Sequence, residues 1–87
     1  MALCEHLAAL ETLILAADYS CAECVALSDT WVHLRVCQSC GHVGCCDSSP
    51  NRHATKHFRA TQHPVVLSAE PGEQWAWCYA DNQLAEY

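Results

Sequence analysis

The side chains with chemistry to offer are eight Cys and six His in a chain of 87 residues. The candidate ligands run Cys4-x-His6, Cys21-x2-Cys24, Cys37-x2-Cys40-x4-Cys45, His53-x3-His57-x5-His63 and Cys78, with Cys46 next to Cys45 and with His33 and His42 outside these groups. Zinc takes thiolate sulfur and imidazole nitrogen in tetrahedral sets of four, and close Cys pairs followed by further Cys and His supply such sets. Two CxxC pairs are a much stronger signal than one. Spacing alone leaves open which pairs share a metal, and whether Cys45 or Cys46 is the ligand. An even number of Cys also suits a disulfide scaffold. The N-terminus, however, lacks the basic start and small-residue cleavage site of an export signal, and secreted scaffolds do not usually add six His. The thiols therefore read as reduced, metal-binding and cytoplasmic.

Composition explains why a small chain would need metals. Hydrophobic residues make up 52%, but once 8 Cys and 13 Ala are set aside only 24 large apolar side chains remain. That is a thin core, and domains of this size commonly need a staple. The net charge is −6, with Arg35, Arg52, Lys56 and Arg59 the only Lys or Arg residues. So few cations make a poor phosphate-binding footprint, which argues against nucleic acid as the partner. No apolar run approaches the ~20 residues that span a bilayer. The expectation is one domain over residues 1–87, monomeric and without a membrane or nucleic-acid partner.

The elements that must hold these ligands follow from local pattern. Leu3, Leu7, Leu10 and Ile14 fall at helical spacing and predict a short amphipathic helix over 7–17. Alternation over Trp31–Val36 predicts a strand with Val32, Leu34 and Val36 inward. Cys37–Gly41 makes a tight turn, with Gly41 free to take positive φ, and His42–Cys45 returns as a second strand. Ser49-Pro50 reads as N-cap and first helical residue of a helix from about Pro50 to Thr61. His53 and His57 then share one face of it, and His63-Pro64 ends it. Val65–Leu67 is a buried strand, Pro71-Gly72 a turn, and Trp75–Tyr79 a strand with Trp75 and Trp77 on one side. The fold class is a small α+β domain: an antiparallel sheet with one main helix.

The run Cys21-x2-Cys24, Trp31, Cys37-x2-Cys40-x4-Cys45, His53-Ala54, His57, His63-Pro64 and Trp77-Cys78-Tyr79 closely resembles the UBP-type zinc finger. The stretch Gly44-Cys45-Cys46-Asp47-Ser48-Ser49-Pro50 is most similar to stand-alone bacterial members. The family occurs in ubiquitin-specific proteases and in a cytoplasmic histone deacetylase, where it binds the free C-terminal tail of ubiquitin. The resemblance implies cross-braced zinc sites: Cys21, Cys24, Cys45 and His53 on one ion, and Cys37, Cys40, His57 and His63 on a second. It also implies a third ion on Cys4, His6 and Cys78, with Asp81 standing where those members have a further Cys. The expected cofactor is thus two or three zinc ions.

Trp31, Trp77 and Tyr79 match the aromatics that enclose the ubiquitin tail in that family. The family's tail-binding Arg is replaced by Asp47, and a tyrosine position by Leu84. An acid at 47 removes the Arg hydrogen bonds and repels a carboxylate, so ubiquitin-tail binding of the usual kind is not expected. The leading expectation is a non-catalytic module that binds a protein or peptide C-terminus through the aromatic groove. The alternative is a zinc-dependent hydrolase, or a redox- or zinc-responsive protein, using the atypical third site. Arg52, Lys56 and Arg59 read as a solvated stripe, Cys46 as a small buried hydrophobe, and His42 has no assigned role.

Overall fold

The computed structural model of the protein describes residues 5–10, 13–16 and 19–86. Among these run α1 (Glu5–Ala8), α2 (Ala22–Ala26), β1 (Leu34–Cys37), β2 (Val43–Cys45), α3 (His53–Thr61), β3 (Val65–Ser68), β4 (Trp75–Cys78) and β5 (Gln83–Glu86). The strands form one antiparallel sheet in the order β2-β1-β3-β4-β5. This is the small α+β domain with one main helix that the sequence predicts.

Register divides the sheet into two unlike faces. Residues directly opposed across an antiparallel pair share a face, and neighbours along a strand alternate. Val36 opposes Leu67, Leu67 opposes Ala76 and Ala76 opposes Ala85, so these point one way. With Leu7, Val65 and Cys78 they make the main core cluster. Arg35, Trp75 and the row Val66, Trp77 and Leu84 point the other way. Leu34, Val36 and Leu67 are the fully buried large aliphatic side chains, each adding about 1.5–3 kcal/mol; the other equally inaccessible side chains are Cys21, Cys24, Cys37, Cys45 and Cys78. Much of the interior is sulfur.

Three expectations need correction. The helix over 7–17 is confined at its start to α1, and residues 13–16 are irregular; residues 11, 12 and 17 lie outside the described ones. The reason is Gln38, whose side-chain Oε1 accepts from Ile14 N–H at 2.8 Å while its Nε2 donates to Ile14 C=O at 2.8 Å. An amide side chain thus takes both backbone groups that a helix would have used. Leu10, Leu13 and Ile14 still pack on the core.

The first strand begins at Leu34, not Trp31, and Val32 is 51% exposed. Its N–H is taken by Ser49 Oγ at 2.8 Å instead of by a neighbouring strand. The Ser49 hydroxyl thus serves Val32, and no side-chain cap opens the main helix. The main helix accordingly starts at His53, preceded by Arg52 in the left-handed region at φ 47°. The His53 N–H donates to Cys45 Sγ at 3.2 Å, so a thiol sulfur serves the helix start. Gly44 makes the close approach possible, since a Cβ there would lie 2.7 Å from Ala54 N. The turn after β1 follows expectation, with Gly41 at φ 78°.

Candidate metal centres and an aromatic cavity

Around a tetrahedral zinc with bonds of ~2.3 Å to sulfur and ~2.0–2.1 Å to nitrogen, S···S edges are ~3.8 Å and S···N edges ~3.5 Å. The donor atoms of this chain approach those spacings. Cys21 precedes α2, Cys24 lies within it, Cys45 ends β2 and His53 opens α3. Cys24 Sγ and Cys45 Sγ are 3.8 Å apart, and His53 Nδ1 lies 3.1, 3.3 and 3.5 Å from the sulfurs of Cys21, Cys24 and Cys45. All four residues are buried. Burial pushes the Cys24 thiol up to about 12, so a divalent cation is needed to displace its proton.

The second cluster gathers Cys37 from the end of β1, Cys40 from the turn, His57 from α3 and His63 from just beyond it. Cys37 Sγ is 3.5 Å from His63 Nδ1, and Cys40 Sγ 3.4 Å from His57 Nε2. The turn amide of Ser39 donates to Cys37 Sγ at 3.4 Å. Burial raises the Cys37 thiol. His57 is lowered by burial and by its neighbours His42 and His63, which favours the neutral imidazole a metal requires. One helical face thus serves two clusters.

The third cluster brings together His6, Cys78 and Asp81. Cys78 Sγ lies 3.5 Å from His6 Nδ1 and 3.8 Å from Asp81 Oδ2, and the latter two atoms are 3.0 Å apart. Cys4, expected to complete this set, lies outside the described residues. The donor chemistry of all three groups fits zinc.

Between the first two clusters runs a connection absent from the sequence reading. Glu23, inside the first CxxC, accepts from His42 Nε2 at 2.8 Å and stands 4.0 Å from His53 Nε2. His42 in turn stacks on His57, with centroids 4.2 Å apart and planes 8° from parallel. The hydrogen bond fixes His42, while at 4.0 Å the carboxylate acts on the outer nitrogen of His53 through its charge alone. The only sequence signal was an acidic residue at an x position of CxxC, which is too common to notice.

On the sheet face away from the main core lies a cavity of about 200 Å³. Trp75 and Trp77 of β4, Tyr79 beyond it, Leu84 of β5, Arg35 of β1 and Asp47 line it. Tyr79 stacks on Phe58 of α3 at 5.0 Å, and burial raises its phenol. The Thr55 hydroxyl donates to Asp47 Oδ1 at 2.5 Å. Cys46 borders this cavity rather than joining Cys45 in the first cluster. Burial alone would raise its thiol, but hydrogen bonds from Ser49 and from backbone, together with the Arg35 charge, lower it to about 7. Trp31 does not line the cavity. It packs on the first cluster and borders a separate depression with Asp29 and Thr30.

The sequence pattern described as the Zn-finger in ubiquitin-hydrolases and other proteins matches residues 21–86. This chain is a UBP-type zinc finger. Zinc is therefore its cofactor, and the three clusters are positioned to bind it. Ubiquitin carboxyl-terminal hydrolase 44 of Ailuropoda melanoleuca is 34% identical over 84 residues, covering 87% of this finger and 10% of that protein. Human BRCA1-associated protein is 36% identical over 67 residues, covering 77% and 10%. The chain thus spans about a tenth of the length of the curated relatives it matches. The solution NMR structure of protein RPA1320 from Rhodopseudomonas palustris matches with a TM-score of 0.84 at 44% identity, covering 99% of this finger and 83% of that chain.

Proposed function

We propose that this UBP-type finger is a non-catalytic interaction module, stabilised by zinc, whose cavity receives the C-terminus of a peptide or partner protein. Cys21, Cys24, Cys45 and His53 hold one zinc, and Cys37, Cys40, His57 and His63 a second. His6, Cys78 and Asp81 hold a third, together with Cys4. The ions tie together segments distant in sequence. Two closed four-donor sets leave no position for an activated water, which supports binding over catalysis. The protein acts as a monomer in the cytoplasm, where its thiols stay reduced.

The observation that carries the reading is the cavity itself. Trp75, Trp77 and Tyr79 are only half-buried, on the face of the sheet that the main core does not use. Large aromatics with one side packed and one side open are the usual anchors of an interface. Trp31 belongs to the proposed surface as a second contact, for a peptide that extends beyond the cavity.

Isothermal titration with peptides of varied C-terminal residues, including Gly-Gly, tests this. Trp77→Ala should weaken binding about thirtyfold, the effect of an interface anchor worth ~2 kcal/mol, with zinc content unchanged. No binding across the peptide set would sink the reading.

A further inference from the structure

We propose that Arg35 is the anchor for the terminal carboxylate of the bound chain, and that Asp47 accepts the N–H of the same last residue. This rests on the reading of the cavity as a peptide site and specifies what the site recognises.

The cavity, at about 200 Å³, is smaller than the ~300–1,000 Å³ of small-molecule sites. It suits the end of a chain rather than a cofactor. Its charged side chains are one guanidinium and one carboxylate, set in an aromatic wall with the Cys46 thiol and the Tyr79 hydroxyl beside them. Arg35 stacks over Trp75 with its guanidinium carbon 4.4 Å from the ring centroid. One of its nitrogens donates to the Leu34 carbonyl at 2.9 Å. A guanidinium carries five N–H donors, and among the described residues no carboxylate lies within ion-pairing distance of Arg35. The ring and the carbonyl thus hold the fork in place and leave other donors for a ligand. A planar fork held on an indole matches a carboxylate with two parallel hydrogen bonds.

Asp47 narrows the choice. A bare anion would feel its repulsion, whereas the last residue of a peptide offers a carboxylate for Arg35 and, two bonds away, an N–H for an acceptor. One Asp47 oxygen is already engaged by Thr55, and the other suits that N–H. An N-terminal amine is disfavoured by the Arg35 charge.

The zinc-loaded protein is titrated with acetylated tetrapeptides that end in Ala-Ala, either as free acid or as carboxamide. A third probe is a carboxamide with Glu next to last. The acid should bind roughly ten- to a hundredfold more tightly than either amide, as expected for charge-assisted hydrogen bonds, and only its affinity should fall with added salt. Arg35→Met should abolish the preference, and Arg35→Lys should retain part of it, since a point charge lacks the fork. Should Arg35→Met fail to fold, Arg35→Lys and the salt series decide. A preference that survives either variant in full overturns the proposal. So does equal binding of the Glu-containing amide, which would mean that side-chain carboxylates suffice. Binding lost in Trp77→Ala but blind to the acid removes the Arg35 role and leaves the peptide site standing. No binding of any probe removes both.

Discussion

The first and third metal clusters differ in burial: the first is wholly inside, whereas the third sets one buried sulfur, Cys78, beside an exposed carboxylate. Cys21, Cys24 and Cys45 are fully inaccessible and His53 nearly so, with the second small core packed around their sulfurs. Asp81 is exposed, and its cluster joins the chain near its start to the hairpin of β4 and β5. Without the metal, three thiols and an imidazole would be left together in a buried space of ion-binding dimensions. An exposed carboxylate can return to water at little cost. The first cluster is therefore bound up with folding, and the third with fastening an edge.

Substitutions can break that comparison at its strong end first. Cys45→Ser should leave the protein unfolded, because the ~10–16 kcal/mol of a structural zinc site exceeds or rivals the ~5–15 kcal/mol of a whole domain. Loss of the amide dispersion typical of a folded domain in a heteronuclear NMR spectrum would confirm it, and a folded spectrum would refute the assignment. The double change Cys78→Ala with Asp81→Ala should keep the fold. Native mass spectrometry should register one zinc fewer than in the unaltered protein; an unchanged metal count would remove the third site. The smallest effect falls between the first two clusters. Glu23→Gln should weaken zinc retention by about tenfold or less, the low end for a partner of a ligating His, since its carboxylate stands 4.0 Å from His53. Competition with a chromogenic chelator measures it, and identical curves would make Glu23 a surface acid.

How much of this was legible in the chain depended on whether the signal is local. The CxxC pairs, the Gly41 turn and the strand through Val65–Leu67 carry their information within a few residues, and the structure places them as expected. The helix expected over 7–17 does not extend to Ile14, because Gln38, distant in sequence, takes both backbone groups of that residue. The helix start shifted to His53 because Ser49 serves Val32 and a Cys45 sulfur serves the first turn. Short strand β5 carries no pattern strong enough to notice, and its partner β4 defines it. Glu23 and Arg35 are ordinary residues by type. Only strand register and the meeting of two clusters give them something to do.

The sharing of α3 between clusters has a consequence for how the metals arrive. His53 faces one cluster and His57 the other, four residues apart on a helix of nine residues. So short a helix is not stable on its own, and whichever ion binds first must order it. The next ion then meets its imidazole already in place, without that entropy to overcome. Binding of one ion should therefore favour binding of the other, and by linkage the converse. The helix is thus the element that the two centres share.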